Sequence, residues 1–144
     1  MLRAPLSIAA LASALFLAAC LESESDTAQD GAATAASLQG GEWTVEDIGG
    51  QGIIDNSHVT LAFGADGRLS GNASCNSLTA TYTVEGGKIA IASPGLTRMA
   101  CPPALMDQER KLVALLETVS AFRIDNSGAL VLDGASGKQI TARR

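Results

Sequence analysis

The stretch HVTLAFGADGRLSGNA, residues 58–73, sets apolar and polar residues in alternation on either side of an Asp66-Gly67 pair. Successive side chains of an extended chain point to opposite faces, so Val59, Leu61 and Phe63 share one face. Asp66-Gly67 supplies the positive-φ turn that a tight hairpin needs, and Leu69 begins the return strand. ATYTVEGGKIAIA repeats the device, with Tyr82 and Val84 before Gly86-Gly87 and Ile89 and Ile91 after it. FRIDNSGALVLDGASGKQITA adds three short runs, separated by Asn126-Ser127-Gly128 and by Gly134 to Gly137. In EWTVEDI, Trp43, Val45 and Asp47 alternate less cleanly with Thr44, Glu46 and Ile48, which brings the count to about eight strands. A chain written in hairpins has to dispose of its strand edges, and closure into a small antiparallel barrel does so at this size. An open, strongly curved antiparallel sheet is the alternative.

One segment breaks the two-residue period. From Pro103 to Val119, Leu105, Met106, Leu112, Val113, Leu116 and Val119 recur at helical spacing, while Asp107, Arg110, Lys111 and Glu117 occupy other faces. Pro102-Pro103 marks the start, because proline lacks the amide hydrogen that a first helical turn leaves unpaired. The fold class expected is mainly β (α+β), with one amphipathic helix over a barrel opening or across a sheet face.

The chain opens on MLRAPLSIAALASALFLAAC, with one positive charge at Arg3, an apolar run from Pro5 to Leu17 and small residues before Cys20. That run is shorter than the roughly 20 residues needed to span a bilayer. Residues 1–19 therefore read as a signal peptide, and Leu17-Ala18-Ala19-Cys20 resembles the lipobox of bacterial lipoproteins. The resemblance implies lipidation at Cys20, with enough acyl chains for stable anchoring to a membrane. Leu21, where an Asp would signal inner-membrane retention, points to the periplasmic leaflet of the outer membrane. Residues 20–40 combine the lipidated cysteine with an acidic, then Ala-rich stretch too polar to offset the entropy of ordering, and read as a flexible tether. A short Ala-rich helix over residues 31–38 competes with that reading. The folded domain is expected over residues 41–144.

Charge and residue types narrow the function. The 144-residue chain carries a net charge of −5, and removal of residues 1–19, which contain Arg3 and no acid, takes it to −6. With no basic stripe to displace counterions from phosphates, nucleic acid is excluded as a partner. His58 is the sole histidine and precedes a strand, which suits a surface or strand-end role better than a catalytic base. No Cys/His/Asp set has metal-ligand spacing, and the Gly-rich pairs are hairpin turns with no Lys-Ser or Lys-Thr opening a helix behind them. The expectation is a protein without catalytic residues, metal or cofactor, most simply a monomer.

Two separated segments carry a resemblance: LAFGADGRLSGNASCNSLTATY, residues 61–82, and LTRMACPPALMDQE, residues 96–109. Together with Trp43 they resemble the META domain family, also called the HslJ heat-shock protein family, over about Trp43 to Ala142. Ser74 stands where the family usually has Gly before Cys-Asn, and Ala80 or Thr81 where it has Gly before Tyr. The resemblance implies a small β-rich domain with one helix, frequent in secreted or lipid-anchored bacterial proteins and associated with heat or envelope stress and antibiotic tolerance. It implies no established catalytic activity.

With Cys20 consumed by lipid, Cys75 and Cys101 remain as an even pair in an oxidising compartment, and a disulfide between them is expected. Such a bond sets Asn72 and Asn76 beside Thr97 and Arg98, a candidate binding surface at one barrel end. The competing reading has Asn72 and Asn76 capping turns while Arg98 forms an ion pair with Glu109. The function expected is a non-catalytic envelope lipoprotein that binds a protein or small ligand and supports stress tolerance. Inhibition of a cationic hydrolase such as lysozyme is the alternative that the negative charge allows.

Overall fold

The computed structural model describes residues 33–144. The signal peptide, Cys20 and the tether as far as residue 32 lie outside the described residues. Eight strands are present: β1 (Glu42–Ile48), β2 (Val59–Phe63), β3 (Arg68–Ala73), β4 (Ser77–Glu85), β5 (Lys88–Leu96), β6 (Ala121–Ile124), β7 (Leu130–Asp133) and β8 (Gln139–Arg143). They pair antiparallel in chain order and β8 returns to β1, so the closed form is the one adopted. Helices α1 (Ala35–Leu38) and α2 (Pro103–Leu116) precede β1 and link β5 to β6.

The glycine pairs turn the hairpins as their sequence demands. Gly67 (φ 78°) closes β2 onto β3, with Gly64 N–H donating to the Arg68 carbonyl at 2.8 Å. Val59, Leu61, Phe63, Leu69, Tyr82, Ile89 and Ile91 are all buried, and the Phe63 and Tyr82 rings meet edge to face at 5.1 Å.

The imperfect alternation in β1 has a physical cause. Its register against β8 shifts between Val45 and Asp47, and this bulge brings Trp43, Val45 and Ile48 all to the interior. Asp47 turns out, and its carboxylate accepts the Gly50 and Gly52 amides at 2.7 and 2.6 Å.

Gly71 shows how closely two strands approach. It lies opposite Leu61, and a Cβ built there would stand 1.9 Å from the Thr60 carbonyl oxygen, so β2 would have to move. Gly71→Ala is expected to cost about 3 kcal/mol of stability in urea unfolding. Gly95→Ala in β5, where a Cβ comes no nearer than ordinary contact with Thr79, at 3.5 Å from its hydroxyl and 3.8 Å from its carbonyl oxygen, serves as the control and stays within about 0.5 kcal/mol.

The domain begins earlier than residue 41. Leu38, at the end of α1, is fully buried, and its carbonyl accepts the Trp43 indole N–H at 2.8 Å. Gln39 donates to the Tyr82 hydroxyl at 3.3 Å, which donates in turn to the Gly64 carbonyl at 2.7 Å. The Arg144 guanidinium sits 4.1 Å from the Trp43 ring centroid and also binds the Leu38 carbonyl. One leucine in a small-residue segment is thus enough to recruit residues 35–40 into the fold.

At the opposite end α2 lies against β1, β3 and β8 and covers the opening. It stops at Leu116, although Val119 is still buried beyond it. Leu115 enters a gap left by Gly134, where a Cβ would come within 2.5 Å of its Cδ1.

The ring is thinnest between β5 and β6, which pair only at Lys88 and Ala121. Past Ile89, no described strand pairs with that side of β5, and the exposed stretch runs into Ser93 (φ 55°) and Pro94.

Candidate functional site

The connection from β5 to α2, residues 97–102, crosses the rim of the helix-covered end. A disulfide joins Cys75 in the β3–β4 turn to Cys101 in this loop, with Cα atoms 6.0 Å apart, as the cysteine count suggested. The turn itself is built on Ser74, whose φ of 101° explains why a glycine is usual at that place. Here the serine is held by its N–H donating to Asn72 Oδ1 at 2.9 Å, and its hydroxyl accepts Gln108 Nε2 at 3.0 Å.

Asn76 is the hub. Its backbone N–H and side-chain Nδ2 donate to the two carboxyl oxygens of Glu109 at 2.7 and 3.0 Å. Its Oδ1 accepts the Met99 amide at 2.6 Å and the Thr97 hydroxyl at 3.0 Å. One buried amide therefore ties the β3–β4 turn, the 97–102 loop and α2 into a single unit.

Two expectations change accordingly. The Arg98–Glu109 ion pair is absent: Asn76 occupies both carboxyl oxygens of the buried Glu109, while Arg98 is exposed and belongs to none of the ion pairs among the described residues. Drawing a guanidinium into that buried position would cost its hydration, whereas an amide and a backbone N–H are there already. The proposed surface of Asn72, Asn76, Thr97 and Arg98 also dissolves in part. Asn72 folds back on Ser74 and Asn76 is only 2% exposed, which leaves Arg98 and Thr97 exposed, the latter with its hydroxyl engaged by Asn76 and the Ser77 amide.

Two residues that belong to this end went unmarked in the sequence. Gln108 is buried on α2; its Oε1 accepts the Ile54 amide at 2.7 Å, and its Nε2 donates to Ser57 and Ser74. The signal was present, since Gln108 and Glu109 fall between Leu105 and Leu112 at the 3- and 4-residue spacings of the inward face. The other is Met99, which is 57% exposed although its backbone is fixed by Asn76. Met99, Arg98, Leu96 and Met106 line an open depression of about 700 Å³.

Chemistry is sparse. Among the described residues no group of three His, Cys, Asp or Glu side chains is placed to hold a metal, and His58 is exposed just ahead of β2. Every buried side-chain nitrogen and oxygen among the described residues has a hydrogen-bond partner. No helix of the described residues is long and apolar enough to cross a membrane.

Eight strands joined in order, a helix over one opening and a disulfide at its rim define a small up-and-down barrel module. The META domain family matches residues 36–144, and the chain belongs to that family. The fold is similar to a protein from Burkholderia xenovorans solved by NMR, with a TM-score of 0.62 at 20% identity over 76% of this chain and 85% of that one. A second NMR structure aligns with a TM-score of 0.61 at 22% identity over 77% of this chain and 94% of the other. No curated protein matches the chain.

Proposed function

We propose that the protein is a non-catalytic, lipid-anchored lipoprotein of the bacterial envelope whose barrel binds a partner through the loop carrying Arg98 and Met99, in support of stress tolerance. The observation that carries the reading is an exposed methionine beside an exposed arginine on a loop whose backbone is already locked by Asn76 and the disulfide. Arg and Met are enriched where proteins meet, and a loop held in its bound shape loses little freedom on association. The non-catalytic assignment draws support from Glu109, whose oxygens are committed to Asn76. The stress role draws its support from the family, and the envelope location from the resemblance of Leu17-Ala18-Ala19-Cys20 to a lipobox.

The test uses the full chain, expressed in a bacterium that processes lipoproteins. Cys20→Ala is expected to leave the membrane fraction, and an unchanged distribution would refute anchoring there. Arg98→Ala combined with Met99→Ala should reduce capture of envelope proteins by about tenfold while the melting temperature stays within about 2 °C, as for surface changes. Full capture by that double variant would remove the loop from consideration. Inhibition in a lysozyme lysis assay, lost in the same variant, would instead favour the hydrolase-inhibitor reading that the negative charge supports.

A further inference from the structure

A separate groove lies on the other flank of α2, away from the disulfide. It encloses about 320 Å³ between α2, the start of the β1–β2 loop and the β7–β8 turn. Its walls include Ile48, Ala114 and Leu115, of which Ile48 and Leu115 belong to the buried core. Gly49 keeps the space open: a Cβ there would meet the Lys138 stem at 3.6 Å and Leu115 at 3.9 Å. The polar atoms of Thr118 are already used, its hydroxyl donating to the Leu115 carbonyl at 2.9 Å and accepting the Ala135 amide at 3.1 Å.

Two ammonium groups stand in the lining, beside Gln51 and Ser136. Lys111 donates to Gln51 and pairs with Asp107, which is shared with Arg110. The hydrogen bond and charge of Lys111 hold the Asp107 carboxyl below the usual range. Lys138 takes part in no ion pair among the described residues. A chain with a net charge of −5 repels anions at large, so a lysine-flanked apolar groove is a local reversal of its field.

We propose that this groove binds a medium-chain alkyl carboxylate, its chain against Ile48 and Leu115 and its head at the Lys138 and Lys111 ammoniums. Besides the lysines, the polar side chains of the lining are confined to Gln51, Thr118 and Ser136, and the volume sits at the lower end of ligand pockets, too small for a two-chain lipid. Burial of methylenes supplies most of the affinity, and the lysines decide for an anion over a neutral chain of the same length.

The experiment titrates the chain from Leu21 onward with decanoate, kept below its micelle concentration, and follows backbone amide shifts. Saturable shifts centred on Gly49, Leu115 and Lys138 are expected. Lys138→Gln should weaken binding by roughly three- to fivefold, while Arg110→Gln, which removes the same charge outside the groove, should not. Decan-1-ol should bind more weakly than decanoate, and acetate should give no saturable shift. The proposal is overturned by shifts centred on Arg98 and Met99, by equal affinity for alcohol and carboxylate, by equal losses in the two charge variants, or by no saturation at all.

Discussion

Glu109→Ala is expected to destabilise the barrel by about 3 kcal/mol in urea unfolding, with an unchanged m-value. The loss does not come from a broken ion pair. Truncation strips two acceptors from beneath Asn76, leaving its backbone N–H buried without a partner and its Nδ2 with only the Met99 carbonyl at 3.5 Å. An unsatisfied buried donor costs on the order of 1–3 kcal/mol, and the loss of the better of the two Nδ2 bonds adds to it. Glu109→Gln keeps one acceptor and sets an amide NH₂ against a donor, so its cost should fall to about half. Arg98→Ala gives the contrast, since an exposed side chain outside the network should shift stability by less than about 0.5 kcal/mol. Equal losses in Glu109→Ala and Arg98→Ala would show that the two side chains are coupled after all.

Removing the disulfide should have an effect of similar size by a different route. Cys75 and Cys101 are 26 residues apart, and in the chain-entropy model closing such a loop is worth about 3.5 kcal/mol, felt in the unfolded chain. For a domain of this length the double variant Cys75→Ala/Cys101→Ala should melt roughly 15 °C lower. The wild-type protein in reductant should fall to about the same midpoint. A melting temperature that neither the variant nor reductant moves would mean that Asn76 alone holds the loop. Combining the variant with Glu109→Ala tests whether the two ties are independent, because groups sharing one loop are expected to couple rather than add.

The parts of this architecture that are local were legible in the sequence. Gly67, Gly86 and Gly87 mark hairpins because a positive φ is a property of a single residue, and alternation across them gives the inward face at once. The bulge in β1 was visible only as a fault in the alternation around Asp47, since its cause is pairing with β8 at the far end of the chain. Leu38 was lost among alanines and serines because nothing nearby in sequence shows that Trp43 and Arg144 will surround its carbonyl. The site suffered most. Arg98 and Glu109 attract one another on paper, but the decision fell to Asn76, a neutral residue bonded both to Glu109 on α2 and to Thr97 and Met99 in the 97–102 loop. Gln108 went unmarked and Glu109 entered only as a partner for Arg98, because hydrophobic periodicity has no symbol for a polar face turned inward and fully bonded.

The thin join between β5 and β6 bears on how copies of this protein behave when crowded together. A barrel normally leaves no free ribbon, yet here β5 continues past its last contact with β6 with unpaired backbone on one side. Such a stretch invites a strand from a neighbouring molecule, the first step toward fibrous aggregation. Ser93 turns the backbone out of line and Pro94 brings no N–H to offer, so an incoming strand finds less than two residues of straight template beyond Ile91 before the ladder fails. The break in the ribbon thus acts as a stop against polymerisation where β5 runs past its last contact with β6.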